Sequence, residues 1–548
     1  MQKFTTPILC ILLISSIGCF AQSATKINTA TTSPKLVVGI VVDQMRWDYL
    51  YRYSNLYGNG GFKRMLNKGY SYQNTLIPYV PTVTAAGHTT VYTGTVPAIH
   101  GIVGNDWVEK QTGAFTYCSQ DMQVKLLPGS SSAGYMSPKN MLTSTIGDEL
   151  RLATNFKSRV FGIALKDRGA ILPAGHLANT AYWFDDSTGN WITNQYYLPQ
   201  NPTWLDKFNA QKKPDAFFKT EWNLLYPLST YTQSTNDDVP FEIPLKDEKT
   251  VTFPHKFSNA TGYNYNPLRV SPYGNTFTFD FAKNLLVNEA LGKNGQTDML
   301  CISLSSTDYI GHRFGPQSIE MQDTYLRLDR DIEDFLTMLD QTLGVNEYVV
   351  FLTADHGAAY TPDYLKTIKH PAGNLQSNTV KKLLNTTLEE KYSIKNIVNV
   401  VLEYQVFLNH KLIDSLKLNV ENIEKDIIIA LYKMPEIANA FAYSQFEKAI
   451  LPPSLKNNLA NSYYYNRSCD VQYILKPQYT DGNGKGTDHG AIFTYDTHIP
   501  LLWYGKGIPK GKNYSNTYMV DIAPTIAAML NIQMPNGSVG KILTEIVK

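Results

Sequence analysis

Six side chains have the types and spacing of a divalent-metal site. Asp355-His356-Gly357 sets a hard carboxylate beside an imidazole, so both can reach one cation. Asp308 and His312 are four residues apart, which on a helix puts them on one side. Asp43 ends an apolar run, and His489 lies in the glycine-rich stretch Gly482-Asn483-Gly484-Lys485-Gly486-Thr487-Asp488-His489-Gly490. Three aspartates and three histidines favour zinc among the available metals, with manganese or iron also compatible. Each element alone fits a capped loop or a turn just as well; the joint pattern carries the reading. His88, His100, His176, His255, His370, His410 and His498 lack such partners and read as structural or surface residues.

A hydroxyl could complete the chemistry. In Val80-Pro81-Thr82-Val83-Thr84-Ala85-Ala86-Gly87-His88, the small residues after Thr84 predict a helix start packed closely beneath a neighbour. A hydroxyl there can meet a phosphate whose oxygens face the free N–H groups of the first turn. Threonine attacks only once its proton is lost, and metal coordination is one way to remove it. Taken alone, the segment reads first as a Thr82 or Thr84 helix cap.

The elements that must position these groups follow from patterning. Leu36–Val42 is a continuous apolar run ending at Asp43. Similar runs cover 160–165 before Lys166, 299–304 before Asp308, 348–352 before Asp355, and 501–504 before Gly505. Such runs suit strands buried on both faces of a parallel sheet. Met321, Tyr325, Leu328, Ile332 and Phe335 recur at helical spacing, with Asp329, Arg330 and Asp331 expected in solvent. Residues 523–530 predict another short helix. Alternating strands and amphipathic helices indicate an α/β fold, a mainly parallel sheet sandwiched by helices. Ligands in such sheets bind beyond the carboxyl ends of the strands, where Asp43, Lys166, Asp308 and Asp355 would converge. Two stretches break the alternation, near 196–273 and 396–479, and read as inserted subdomains.

Composition narrows the class. The chain has 548 residues, 43% hydrophobic and 18% charged, with a net charge of +2. That balance excludes a wholly disordered chain and implies no broad attraction to nucleic acid or to an anionic membrane. Lys3 and the apolar run 7–17, then small residues up to Ala21, predict a signal peptide over 1–21 and so a periplasmic or secreted protein. Lipidation at Cys19 and a short membrane anchor are the alternatives to it. Residues 22–34 read as a polar linker and 35–548 as the catalytic domain. No later segment approaches the roughly 20 apolar residues of a spanning helix, so no transmembrane anchor is expected. Cleavage would leave Cys118, Cys301 and Cys469, an odd number in which no disulfide is demonstrated; Cys301 reads as a small buried hydrophobe.

Asp43, the Pro81-Thr82-Val83-Thr84 turn, His100-Gly101-Ile102-Val103-Gly104-Asn105, Lys166-Asp167-Arg168, Asp308-x-x-x-His312, Asp355-His356-Gly357 and His489 occur in the order seen in the alkaline phosphatase superfamily. The chain resembles most the bacterial, periplasmic, threonine-nucleophile PafA type, related to nucleotide pyrophosphatase/phosphodiesterases. The resemblance implies an alkaline phosphatase-like core with insertions and two zinc ions per chain. Asp43, Asp355, His356 and the Thr84 oxygen would bind one zinc; Asp308, His312 and His489 would bind the other. Thr84 would be the nucleophile, and Asn105, Lys166 and Arg168 would contact the transferred phosphoryl oxygens. The resemblance also implies a monomer acting on small phosphate monoesters, with no nucleic-acid partner. Charge agrees: two zinc ions exceed three carboxylates by one, a Thr84 alkoxide cancels that excess, and Lys166 with Arg168 matches a monoester dianion. A phosphodiesterase or nucleotide pyrophosphatase on the same two-zinc site is the alternative. A sulfatase is disfavoured, since Thr84-Ala85-Ala86-Gly87-His88 lacks the Cys/Ser-x-Pro-x-Arg motif. A mutase and a non-catalytic binding protein are the remaining readings, opposed by export and by the intact ligand set.

Overall fold

Four apolar segments lie side by side because each can be covered on both faces. They are β1 (Leu36–Val42), β2 (Val160–Ala164), β3 (Asp298–Leu304) and β4 (Tyr348–Thr353), and every residue in them is buried. Full burial of a Val, Leu or Ile side chain contributes about 1.5–3 kcal/mol, which makes these strands the anchor of the core. The structure is a computed structural model that describes residues 33–246, 248–257 and 264–547. The expected signal peptide, its Cys19, and the linker as far as Thr32 lie outside the described residues.

The main sheet has nine strands among the described residues. Their spatial order is Gly511–Tyr518, Tyr70–Leu76, His498–Gly505, β4, β1, β3, β2, Thr180–Asp185 and Asn190–Ile192. β1 runs parallel to both β3 and β4, and β2 runs parallel to β3. Val42 pairs with Leu304, Val41 with Thr353, and Ala164 with Ser303, so the carboxyl ends of all four are level. His498–Gly505 is antiparallel to β4. Its Gly505 end therefore points away from the other strand ends, and its beginning lies among them. There Gly357 N donates to Asp496 O at 2.8 Å and Ala358 N to Tyr495 O at 2.9 Å. The architecture is the expected α/β one with a mainly parallel sheet.

The helices that matter to the site are α1 (Thr84–Thr93), α2 (Asp167–Ala174) and α3 (Ser306–Phe314). A longer helix, α4 (Ile319–Leu343), buries the stripe Met321, Tyr325, Leu328, Ile332 and Phe335 as its spacing predicts, and 522–530 is also helical. One expectation on α4 fails. Asp329 is buried, because its carboxylate accepts hydrogen bonds from Gly58 N and Phe62 N, both at 2.7 Å. Those amides belong to a turn and a helix start distant in sequence, which side-chain periodicity on α4 cannot register. Asp331 is half-buried and Arg330 exposed.

Residues 398–475 carry a second sheet of four strands, with antiparallel pairing throughout and a separate apolar core. That core takes in Val380, Leu384 and Leu388 from helix Ser377–Tyr392, so its packing starts ahead of residue 396. Between 196 and 273 the described residues form short helices joined by turns. Cys118, Cys301 and Cys469 are buried free thiols.

Candidate active site

The level strand ends deliver the acids. Asp43 follows β1, Lys166 caps α2 two residues beyond β2, Asp308 and His312 lie on α3 after β3, and Asp355-His356 follows β4. Asp43, Asp308, Asp355, His356, Lys166 and Thr84 are all buried, while His312 and His489 are partly open to solvent. Asp308, His312 and His489 bring one ligand atom each within 4.8 Å of one another, and so do Asp43, Asp308 and His356. Asp308 thus belongs to both groups. Asp355 Oδ2 lies 3.5 Å from His356 Nε2.

The three imidazoles share one arrangement. His312 Nδ1 lies 2.9 Å from Thr487 O, His356 Nδ1 lies 3.0 Å from Gly357 O, and His489 Nδ1 lies 2.8 Å from Thr82 O. A carbonyl only accepts, so each Nδ1 carries a proton and Nε2 is the ring atom left to meet a metal. Those Nε2 atoms face acids: His312 is 3.1 Å and His489 3.6 Å from Asp308 Oδ1, and His356 is 3.6 Å from Asp43 Oδ1. Asp43 Oδ1, Asp355 Oδ2 and His356 Nε2 are buried and make no hydrogen bond. Buried polar atoms normally have a partner, so oxygen and imidazole donors left this way fit a divalent cation such as zinc.

The electrostatics describe a crowd of acids. Burial, then the neighbouring Asp355, pushes the Asp43 carboxyl up despite Lys166. Burial acts likewise on Asp308, but His312 and Lys166 outweigh it and hold that carboxyl well down. Burial opposes charge on His312 too, yet Asp308 raises it to about 9. Burial depresses His489. Lys166 Nζ sits 2.6 Å from Asp308 and 2.7 Å from Asp43; these acids overcome burial and raise its affinity for the proton.

Thr84 opens α1, and all ten residues of that helix are buried. The cap position is Val83, and no side chain caps the helix. Thr82 donates its hydroxyl to Ala491 O at 3.2 Å, so neither threonine does the capping that the segment alone would allow. The close packing expected from the small residues is present at Gly87, where a Cβ would lie 2.4 Å from Asp355 O. Thr84 Oγ1 lies 3.3 Å from Lys166 Nζ. Next to it, Ala85 N donates to Asn105 Oδ1 at 3.0 Å. Arg168 Nη1 donates to Tyr117 OH at 3.1 Å, and Tyr117 OH donates to Asp167 at 2.6 Å. All ten residues singled out in the sequence therefore come to one end of the sheet.

Several neighbours were not legible in the sequence. Gln44 donates its side-chain amide to Asp308 Oδ1 at 2.7 Å and its backbone N–H to Asp355 Oδ1 at 3.1 Å, holding two acids at once. His88, read as merely structural, has Nδ1 2.9 Å from Thr84 O and 3.3 Å from Asp355 Oδ2. The i to i+4 spacing from Thr84 was the one signal available for it. Tyr309 and Glu403 also border the site, the first 5.0 Å from Lys166 Nζ at its ring centroid, the second 3.4 Å from Asn105 Nδ2.

Residues 37–498 match the type I phosphodiesterase / nucleotide pyrophosphatase family. The chain is 48% identical to alkaline phosphatase PhoV of Synechococcus elongatus, over 94% of this chain and 93% of that one. It is 47% identical to a protein of Myroides odoratus named calcium-transporting ATPase, over 98% and 99% of the two chains. It is 44% identical to alkaline phosphatase PafA of Elizabethkingia meningoseptica, over 95% and 96%. The crystal structure of PafA covers 94% of this chain, and the chain covers 99% of it, with a TM-score of 0.91. The chain belongs to the type I phosphodiesterase / nucleotide pyrophosphatase family of the alkaline phosphatase superfamily, and within it to the PafA type.

Proposed function

We propose that this protein hydrolyses phosphate monoesters through a covalent phosphothreonine at Thr84, releasing an alcohol and inorganic phosphate. It is an alkaline phosphatase, a phosphoric monoester hydrolase, as relatives of 44–48% identity over nearly the whole chain indicate. The carrying observation for a metal-dependent site is the common orientation of His312, His356 and His489, each proton turned to a backbone carbonyl and each Nε2 toward buried acids.

Asp43, Asp355, His356 and Thr84 would hold one zinc ion, and Asp308, His312 and His489 the other. Bound zinc would supply charge to lower the Thr84 proton affinity and to stabilise attacking and leaving oxygens. The chain's own residues do the rest. Helix α1 presents Thr84 Oγ1 at its N-terminus, where backbone N–H groups favour an anion. Asn105 offers an amide donor, Lys166 an ammonium, and Arg168 a guanidinium fork suited to phosphate. Attack by Thr84 Oγ1, its proton passing to solvent, forms a new P–O bond as the ester P–O bond breaks, and the leaving oxygen takes up a proton to become the alcohol. Water then attacks the phosphothreonine, regenerating the hydroxyl and releasing phosphate. An exported, periplasmic or secreted location fits the signal expected over residues 1–21.

The transport activity in the name of the Myroides relative gains no support from this geometry. The acid–imidazole cluster lies at the strand ends of an α/β sheet, and among the described residues no helix is long and apolar enough to cross a membrane. The deciding experiment compares zinc-loaded protein on a monoester and a diester of the same leaving alcohol. Monoester turnover should dominate by orders of magnitude; faster diester turnover overturns the reading.

A further inference from the structure

The second sheet brings one of its turns to the active site. Strands Val398–Leu402 and Gln405–Leu408 pair antiparallel, with Leu402 opposite Gln405, and leave a two-residue loop of Glu403 and Tyr404. Both have positive φ, 49° and 65°. Such loops favour Asn-Gly, because a residue with a long side chain is strained in the left-handed region. Two long side chains at these positions are unfavourable locally, and strain of this kind is characteristic of functional sites.

Both side chains contact the site. Glu403 Oε1 accepts from Asn105 Nδ2 at 3.4 Å, and its other oxygen, Oε2, is buried without a hydrogen bond. Gly104 makes room for it, since a Cβ there would lie 2.9 Å from Oε2. Tyr404 OH donates to His489 O at 3.4 Å. The Asn105 amide is thus held at both ends: its oxygen accepts from Ala85 N, the residue after Thr84, and its nitrogen donates to Glu403. An amide nitrogen has two hydrogens, so one remains for a phosphoryl oxygen.

We propose that Glu403, at the tip of the inserted hairpin, is a positioning residue that orients the Asn105 carboxamide toward the phosphoryl group. The inference rests on the function proposed above and adds to it a role for the inserted sheet. Ala85 N holds the oxygen end of the amide and the Glu403 oxygen directs its nitrogen end; without Glu403 the amide is held at one end only. Misplacing a donor to the reacting group lowers kcat/KM even when the fold is intact.

The test uses the zinc-loaded mature enzyme, an aryl phosphate monoester, and inorganic phosphate as a competitive inhibitor. Glu403→Asn is the main variant, because Asn tolerates the left-handed region but is too short to reach Asn105. It should leave the thermal midpoint unchanged or raise it, lower kcat/KM roughly tenfold, and weaken phosphate inhibition in step. Glu403→Gln keeps an acceptor at the same reach and should remain within about threefold of wild type. In an Asn105→Ala background, Glu403→Asn should cost nothing further, because the group it positions is gone. Wild-type kcat/KM in Glu403→Asn overturns the proposal, and so does an equal loss in the presence and absence of Asn105. A wild-type enzyme inert toward the monoester overturns the underlying function instead, and that outcome is read before any variant is made.

Discussion

Lys166 Nζ and Thr84 Oγ1 lie 3.3 Å apart although 82 residues separate them in sequence. The ammonium is also against Asp308 and Asp43, so it joins the proposed nucleophile to the acid cluster. A monoester dianion brings three non-bridging oxygens and needs cationic donors beyond the amide of Asn105. A diester carries one charge fewer and replaces an oxygen by a bulky group, which leaves Lys166 and Arg168 less phosphoryl charge to meet. Replacing Lys166 and Arg168 together by Ala should lower monoester hydrolysis by orders of magnitude and diester hydrolysis much less. Equal losses on both substrates would favour the phosphodiesterase alternative.

The uncapped start of α1 identifies which threonine should react. Thr82 is engaged with Ala491 O, whereas Thr84 Oγ1 faces Lys166. Thr84→Ala should abolish most turnover with the far-ultraviolet spectrum and thermal midpoint preserved. Thr84→Ser should keep measurable turnover, as it retains an alkoxide-forming oxygen. Acid-quenched enzyme should carry phosphate on the peptide containing Thr84; phosphate on Thr82 defeats the assignment.

Metal content gives an independent check. Purified mature protein should hold two zinc ions by elemental analysis. His489→Ala should weaken chiefly the ion shared with Asp308 and His312, leaving closer to one zinc per chain. Wild-type protein with no more than one tightly held transition metal contradicts the two-zinc site.

The acids that end strands were legible because a continuous apolar run followed by Asp has few explanations in a parallel sheet. Asp43, Asp308 and Asp355 belong to that case. Thr84, Asn105 and His489 were weak as single residues and gained meaning only from the order of motifs. Gln44 and Glu403 left no signal of their own. Gln44 follows a strand end as any turn residue does, and its contacts to Asp308 and Asp355 span 264 and 311 residues. Glu403 belongs to an inserted sheet whose docking on Asn105 is a tertiary event. Asp329 failed for a related reason: periodicity reports the apolar face of a helix and not a buried acid serving distant backbone amides.

A second group of acids, around His255, predicts how stability depends on pH. His255 is buried between Glu248 and Glu320, with Nδ1 2.9 Å from the first and Nε2 3.2 Å from the second. Burial disfavours its charge, but the two acids outweigh burial and raise it from 6.5 to about 9. Glu242 is buried beside them and neither of its oxygens makes a hydrogen bond. Burial, then Glu320, pushes its carboxyl far up. Both folded values exceed the unfolded ones. Each contribution is therefore fully present below the unfolded value, near 4.5 for Glu242 and 6.5 for His255, and is lost as pH rises toward the folded one. This share of the stability should fall between pH 5 and pH 9. Glu242→Gln keeps the shape of the neutral acid and has no proton to lose. Its midpoint should match wild type within about 1 °C at pH 5 and exceed it by about 2 °C or more at pH 9. Calorimetry at the two pH values measures that gap. A variant less stable than wild type at pH 9 would mean that the native fold uses an ionised Glu242, and the neutral-carboxyl account would then be wrong.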